Sequence, residues 1–287
     1  MLDAWASLHL LRHPGSTSQT NSMRQRTRRI LDEIAALSLV RSTQTFWRGH
    51  AKAGYRLTPS AVHTDPPKLT SSKAVADYVE FQTSAVRGAQ HVWRNGISLR
   101  TLVPVEQLAL LQHFGVPTPL LDLTADPLVA LYFAVRRHDD HDGLLIGWNA
   151  VGWIDYTNDS RSYAGMIGEL RHEATLGWFV PPVVTDRVVV QRSRMLIAPV
   201  LPSTQRSWFS PISDLELPKL PAEWGDPQLG ALFEPQGQGR RAMPPVLGFR
   251  INRGLKSYIR SVLSDSFGLS HETLFPDPAG YATERPT

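Results

Sequence analysis

Residues 108–135, LALLQHFGVPTPLLDLTADPLVALYFAV, constrain the fold more than any other stretch of this chain. Gly115, Pro117 and Pro119 close one helix and open a tight turn, because Gly tolerates a left-handed backbone and each Pro fixes φ and blocks helix continuation. Leu120, Leu121 and Leu123 then read as a short strand with Asp122 and Thr124 set into it. Asp126 predicts a helix cap and Pro127 a first helical position: a carboxylate accepts the free N–H groups of the first turn, and Pro lacks only a donor that has no partner there. From Leu128 to Val135 the chain is apolar on nearly every side, which predicts a buried helix. A carboxylate at Asp122 inside such a strand needs a partner, since an isolated buried charge is prohibitively unfavourable. Two kinds of partner are open: Thr124 or a nearby backbone turn, which makes Asp122 structural, and a ligand, which makes it a site residue.

The chain of 287 residues has no cysteine, which excludes a disulfide framework, a zinc-thiolate site and a thiol nucleophile. Runs of about 18 apolar residues are absent, so no membrane span or membrane partner is expected. The amino terminus is acidic where a signal peptide would be basic, and a cytoplasmic protein is expected. A formal charge of +4 and a pI near 9.5 favour an anionic partner, whether nucleotide, nucleic acid or another protein. A nucleophile elbow, a phosphate-binding GxxxxGK[ST] loop and an HExxH pair are all missing.

Along the chain, residues 1–22 are expected as a mobile leader, with Ser, Thr, Asn and Gln enriched at its end, and residues 23–287 as a single domain. A helix over 23–39 carries Arg24, Arg26, Arg28 and Arg29, read as a solvated face or a contact for a polyanion. TFWRG at 45–49 is a strand by its aromatics, with Phe46 and Arg48 on one face and Trp47 on the other. An irregular loop at 61–70 precedes a helix at 72–87. The cluster His138, Asp139, His141 and Asp142 has ligand chemistry but the pattern of a wet turn, so no metal site is expected. A strand at 144–148 follows, then a helix at 166–178. The Val-rich run 188–198 reads as a long strand interrupted from Gln191 to Arg194. An irregular excursion at 211–245, in which Gly237 and Gly239 belong to a loop, returns to a strand at 246–251 and a helix at 255–263.

TFWRG together with LQHFGVPTPLLDLTADP resembles the FRG domain family. Phe46, Arg48 and Gly49 fit its aromatic-Arg-Gly motif, and Gln112, His113, Phe114, Gly115, Pro117 and Thr118 fit the start of its second block. Leu120, Leu121, Asp122, Thr124, Asp126 and Pro127 continue that block, while Pro119 stands in place of the usual Arg and Leu123 in place of the usual Trp. The family commonly shows an Arg-x-x-x-Gln strand, matched by Arg187 and Gln191, and a closing Leu-Phe-Pro-Asp segment, matched from Leu274 to Asp277 and followed by Pro278 and Gly280. The resemblance spans about residues 40–282 and implies a bacterial or phage protein.

The fold class that follows is α+β: a central mixed, mostly antiparallel sheet flanked by helices, with an ADP-ribosyltransferase-like arrangement as its finer form. The first functional reading is a nucleotide or other anionic ligand held in a cleft around Arg48, whose guanidinium matches anionic oxygens bidentately. Gln112, His113, Asp122 and Thr124 would line that cleft with Gln191 opposite. NAD is the candidate cofactor if the cleft is catalytic, with Asp122, Glu272 or another carboxylate brought in by the fold, because an amide at Gln191 cannot act as a base. The second reading is a non-catalytic nucleic-acid- or protein-binding module of a bacterial or phage defence effector. The third makes Arg48 and Asp122 a buried ion pair that fixes strand register.

Overall fold

The computed structural model describes residues 18–40, 45–55, 59–60, 77, 80–81, 84, 102–113, 115–173, 175–183, 185–198 and 246–277. The first part of the expected leader, the loop at 61–70, most of the helix at 72–87, Phe114, the excursion at 211–245 with Gly237 and Gly239, Pro278 and Gly280 lie outside the described residues. The chain divides into two compact units, Met1–Val40 and Arg41–Thr287.

The first unit contributes helix α1 (Ser18–Val40), with Ile30, Leu31 and Ile34 buried and Arg24, Arg26, Arg28 and Arg29 exposed. It begins five residues before the expected start, inside the stretch read as a leader. The arginines therefore sit beyond the first turn, where the unfavourable interaction of cations with the helix dipole fades. Arg28 pairs with Asp32 one turn later, at 3.6 Å.

In the second unit the described elements run β1 (Thr45–His50), α2 (Pro104–His113), β2 (Leu121–Thr124), α3 (Pro127–Val135), β3 (Gly143–Asn149), β4 (Ile154–Asp155) and α4 (Tyr163–Glu173). They continue with β5 (Gly177–Phe179), α5 (Asp186–Val190), β6 (Ser193–Ile197), β7 (Val246–Ile251), a 3-10 turn (Arg253–Leu255), α6 (Lys256–Phe267) and α7 (His271–Leu274). The strands form one seven-stranded sheet in the order β4-β5-β6-β2-β1-β3-β7. Only β4 and β5 run parallel, so the sheet is mixed and mostly antiparallel, and the fold is α+β.

Alternation along the strands sorts the two faces. Phe46, Leu121, Leu123, Leu144, Ile146 and Trp148 point to one side and form a core with Trp153, Leu176 and Leu196. Opposite, Met195 and Ile197 pack with Leu120 and Phe179 beneath α2 and α4. That same second face also receives α3, which lies almost on the backbone of β1 and β3. A Cβ built on Gly49 would fall 1.9 Å from the Ala130 carbonyl oxygen, and one on Gly143 would fall 2.2 Å from that of Ala134. Helix α3 starts as expected: the Asp126 carboxylate accepts from the N–H groups of Leu128 and Val129, with Pro127 in the first turn.

Two expected elements differ. The helix expected over 166–178 is Tyr163–Glu173, and Trp178 belongs to β5, paired with Leu196. The run read as one interrupted strand is a short helix, α5, followed by β6. Arg192, with φ of 48°, turns the chain between them. Arg187 and Gln191 are therefore one helical turn apart, on a shared side, rather than spaced along a strand.

Candidate functional site

A cleft of about 500 Å³ opens on the second face of the sheet, between α2 on one side and α3 on the other. Trp47, Asp122, Thr124 and Met195 lie along its floor, and Phe133 and Arg136 of the α3 end stand opposite Gln112 and His113 of the α2 end. Arg187, Gln191 and Phe275 complete the rim. All six residues singled out from sequence line this one cavity: Arg48, Gln112, His113, Asp122, Thr124 and Gln191.

Arg48 reaches it through a break in the sheet. β1 and β2 share one paired position, Trp47 with Thr124, and the next pair in register would be Gly49 with Asp122. Instead, Arg48 Nη1 donates to the main-chain oxygen of Asp122 at 2.6 Å, and Nε donates to His50 Nε2 at 2.9 Å. Two bonds thus aim the guanidinium, and its Nη2 hydrogens have no protein acceptor among the described residues. Burial pushes the guanidinium below its ordinary range, opposed by the charge of Asp122.

The buried ion pair expected as one alternative does not form. The Asp122 carboxylate is exposed, and Arg48 bonds its main chain rather than its side chain. The reason is the pleat: Leu121 and Leu123 face the core while Asp122, between them, faces the cleft, so its charge is never desolvated enough to demand a partner. The Thr124 hydroxyl is not its partner either. It donates to the main-chain oxygen of Gln191 at 2.7 Å and accepts from the Asp126 N–H at 2.9 Å, tying the end of β2 to the turn after α5.

Gln112 is held from behind. Its Oε1 accepts from the hydroxyl of Thr118, a fully buried residue whose N–H bonds Ser60, and this leaves the Gln112 amide hydrogens directed elsewhere. Gln191 donates through Nε2 to the main-chain oxygen of Leu274 at 2.9 Å, clipping the closing Leu-Phe-Pro-Asp segment to the cleft. Glu272, weighed as a carboxylate for chemistry, does not line the cleft and accepts from the Ser270 hydroxyl.

Sequence reading did not single out Arg187, Arg136, Phe133 or Phe275 for the site. Arg187 Nη2 lies 3.0 Å from both ring nitrogens of His113 and donates to the His113 main-chain oxygen, while its Nε is 3.5 Å from Asp277. Burial and then the Arg187 charge hold His113 at about 4, against the pull of Asp277, so its ring is neutral at pH 7. The guanidinium of Arg136 sits over the rings of Phe133 and Phe275, at 5.1 and 5.5 Å from their centroids. The one available signal was the i, i+4 spacing of Arg187 and Gln191, which puts both on one face of a helix and of a strand alike. Three arginines thus line the cleft, and among the described residues lining it only Asp122 carries a carboxylate.

Residues 43–143 match the model of the FRG domain. The chain carries an FRG domain. No curated protein and no solved structure gives a match. The FRG match is narrower than the span expected from motifs: it runs from just before β1 to the first residue of β3 and includes Arg48, Gln112, His113, Asp122 and Thr124. Arg187, Gln191 and Phe275, which close the cleft, come from beyond it. The His138 to Asp142 turn at the end of the FRG match is a set of anchors: Asp139 accepts from Arg260, and Asp142 from Arg250 and from the Arg253 N–H. Among the described residues no group of three metal-ligating side chains occurs, and no helix is long and apolar enough to cross a membrane.

One consequence of the Arg48 anchor is measurable. His50 is 4% exposed, and burial with the neighbouring Arg48 charge holds its pKa at about 3. An unfolded His takes a proton near pH 6.5, so stability is level above that pH and falls below it, by about 1.4 kcal/mol per pH unit for one such group. From pH 6.5 to 5 the expected loss from His50 is about 2 kcal/mol. Urea unfolding across that range should show a shallower acid decline in His50→Gln than in the unmodified protein, and equal declines would exclude this account.

Proposed function

We propose that the cleft binds an anionic nucleotide and that ADP-ribosyl transfer from NAD is the chemistry it supports. One observation carries the reading: Arg48, Arg136 and Arg187 reach one cavity whose described lining holds one carboxylate, and aromatic rings of Phe133 and Phe275 stand beside them. Guanidinium groups take phosphate oxygens in pairs, and the rings offer a flat apolar surface to a base. In the transfer step the bond between C1′ of the nicotinamide ribose and the nicotinamide nitrogen breaks and nicotinamide leaves. As it leaves, C1′ bonds to the acceptor's oxygen or nitrogen, and the acceptor's proton passes to Asp122 in the same step. Asp122 suits this role because its carboxylate faces the cleft and makes no ion pair with Arg48.

The test is calorimetric titration of the full chain with ATP and NAD, together with an assay of nicotinamide release. Binding is expected and weakens at high salt, as screening requires. Arg48→Ala and Arg136→Ala, each confirmed folded by its thermal transition, should weaken it roughly 10-fold or more, the scale of one lost charge-assisted contact. Asp122→Asn should retain binding and lose nicotinamide release. Failure of both ligands to bind the unmodified protein overturns the reading, and binding without nicotinamide release removes the transfer chemistry alone.

A second reading rests on α1, whose four exposed arginines offer a cationic face for nucleic acid in a defence-type effector. Retention of single-stranded RNA that falls steeply with salt, and is lost when those arginines become Gln, would support it.

A further inference from the structure

The cleft does not end at Arg48. A second chamber of about 370 Å³ lies beside it, lined by His50, Tyr55, Ser60 and Val116, and four residues line both chambers: Arg48, Gln112, Gly115 and Asp122. Each chamber lies within the roughly 300–1,000 Å³ range of small-molecule sites, and the shared residues form a neck between them.

The chemistry of the neck differs from that of either chamber. Arg48 presents Nη2, aimed by its bonds to Asp122 O and His50 Nε2. Gln112 has its Oε1 engaged by Thr118, which turns its role at the neck toward donation. Asp122 brings a carboxylate that only accepts. Donors for an anion and an acceptor for hydroxyl groups thus stand together, the complement of a phosphate joined to a sugar.

The larger chamber supplies arginines and phenylalanine rings, whereas the smaller one supplies polar and aromatic neutral groups. The His50 imidazole is uncharged, and the Tyr55 ring stands edge-on to it at 6.2 Å with its hydroxyl bonded to His138 Nε2. Among the described residues lining that chamber, the one cation a second phosphate would find is Arg48 at the neck. A second sugar would find hydrogen-bonding partners and a ring.

Resting on the reading of the cleft as a nucleotide site, we infer that its ligand is bipartite. It is a nucleoside diphosphate whose terminal phosphate carries a second sugar, with the nucleoside in the larger chamber, the phosphates at the Arg48 neck and the second sugar in the Tyr55 chamber.

The experiment compares ADP with ADP-ribose, which share every group except the second sugar, by titration against the full chain. ADP-ribose should bind roughly 10-fold or more tightly than ADP, a difference of about 1.4 kcal/mol. Tyr55→Ala, at an exposed position, and Val116→Trp, which fills the chamber, should each bring the two affinities toward equality. Equal affinities in the unmodified protein, or a ratio untouched by both variants, overturns the bipartite ligand while leaving nucleotide binding in place. Binding of neither compound overturns the underlying reading and this inference with it.

Discussion

Gly49→Ala is expected to destabilise the protein by about 3 kcal/mol or more, well beyond an ordinary overpacked core position. The added methyl would lie 1.9 Å from the Ala130 oxygen, 2.5 Å from the Ala134 nitrogen and 2.9 Å from Phe133 Cβ. Two of these three atoms belong to the backbone of α3, so no rotamer change relieves the contact; the helix itself must lift from β1. Interiors at crystal-like density have no room for that shift without opening gaps elsewhere. Because Asp126, Phe133 and Arg136 travel with α3, the same displacement would move one wall of the cleft. The glycine of the aromatic-Arg-Gly motif is thus required by packing, while the arginine before it is the residue that reaches the cavity. Gly54→Ala is the control, since no atom of the described residues lies within 4 Å of its added methyl. Urea unfolding of both variants reads the difference: the Gly54 variant should remain within about 0.5 kcal/mol of the unmodified protein. A Gly49 variant equally close to it would refute the packing account.

Why some of this was legible from sequence and some was not follows from the range of the forces involved. Residues 108–135 announce themselves because Gly115, Pro117, Asp126 and Pro127 act through their own backbone and the next turn, and the structure places helix, turn, strand and cap where those residues put them. Asp122 was legible as a special residue but not in its environment. Flanking leucines suggested burial on both sides, whereas the pleat sends only those leucines inward. The Val-rich run at 188–190 has strand propensity, yet it completes a single helical turn, α5, whose placement beside α7 and β6 is tertiary and outweighs the preference. Arg136 and Arg187 carried little local signal: one follows a buried helix and the other stands among valines. Their meeting with Phe275, some 90 to 140 positions further on, depends on chain reversals that no short window encodes. The C-terminal Leu-Phe-Pro-Asp segment had motif value, but its role as a wall appears only through Gln191 donating to Leu274.

Lys256→Met is the other substitution expected to cost several kcal/mol, and its logic is polar rather than steric. Lys256 is fully buried, on the same face of α6 as Ile259 and Leu263, at the spacing of an apolar stripe. Its three ammonium protons donate to the main-chain oxygens of Ala51 at 2.7 Å, Arg137 at 2.8 Å and His138 at 2.8 Å. The first of these lies just past β1 and the other two just past α3, where helix-end carbonyls lack partners and the dipole favours a cation. One side chain therefore ties together the ends of the two elements that carry Arg48 and Arg136. Burial pushes its pKa below the ordinary lysine range, with Asp139, Asp140 and Asp142 pulling it back. The protonated form is the one that fits, because a neutral amine has only two hydrogens for three acceptors. Met keeps the length and volume but leaves three carbonyls without their donor, each worth about 1–3 kcal/mol when buried and unpaired, against which the relief of not burying a charge is set. A net loss of roughly 3–5 kcal/mol is expected. Lys256→Arg should recover little of it, since a planar fork cannot address three carbonyls arranged around a tetrahedral nitrogen. Denaturant midpoints for the two variants decide the matter: a Met variant as stable as the unmodified chain would mean that the three carbonyls find other donors and that the ammonium is not the tie between β1 and α3.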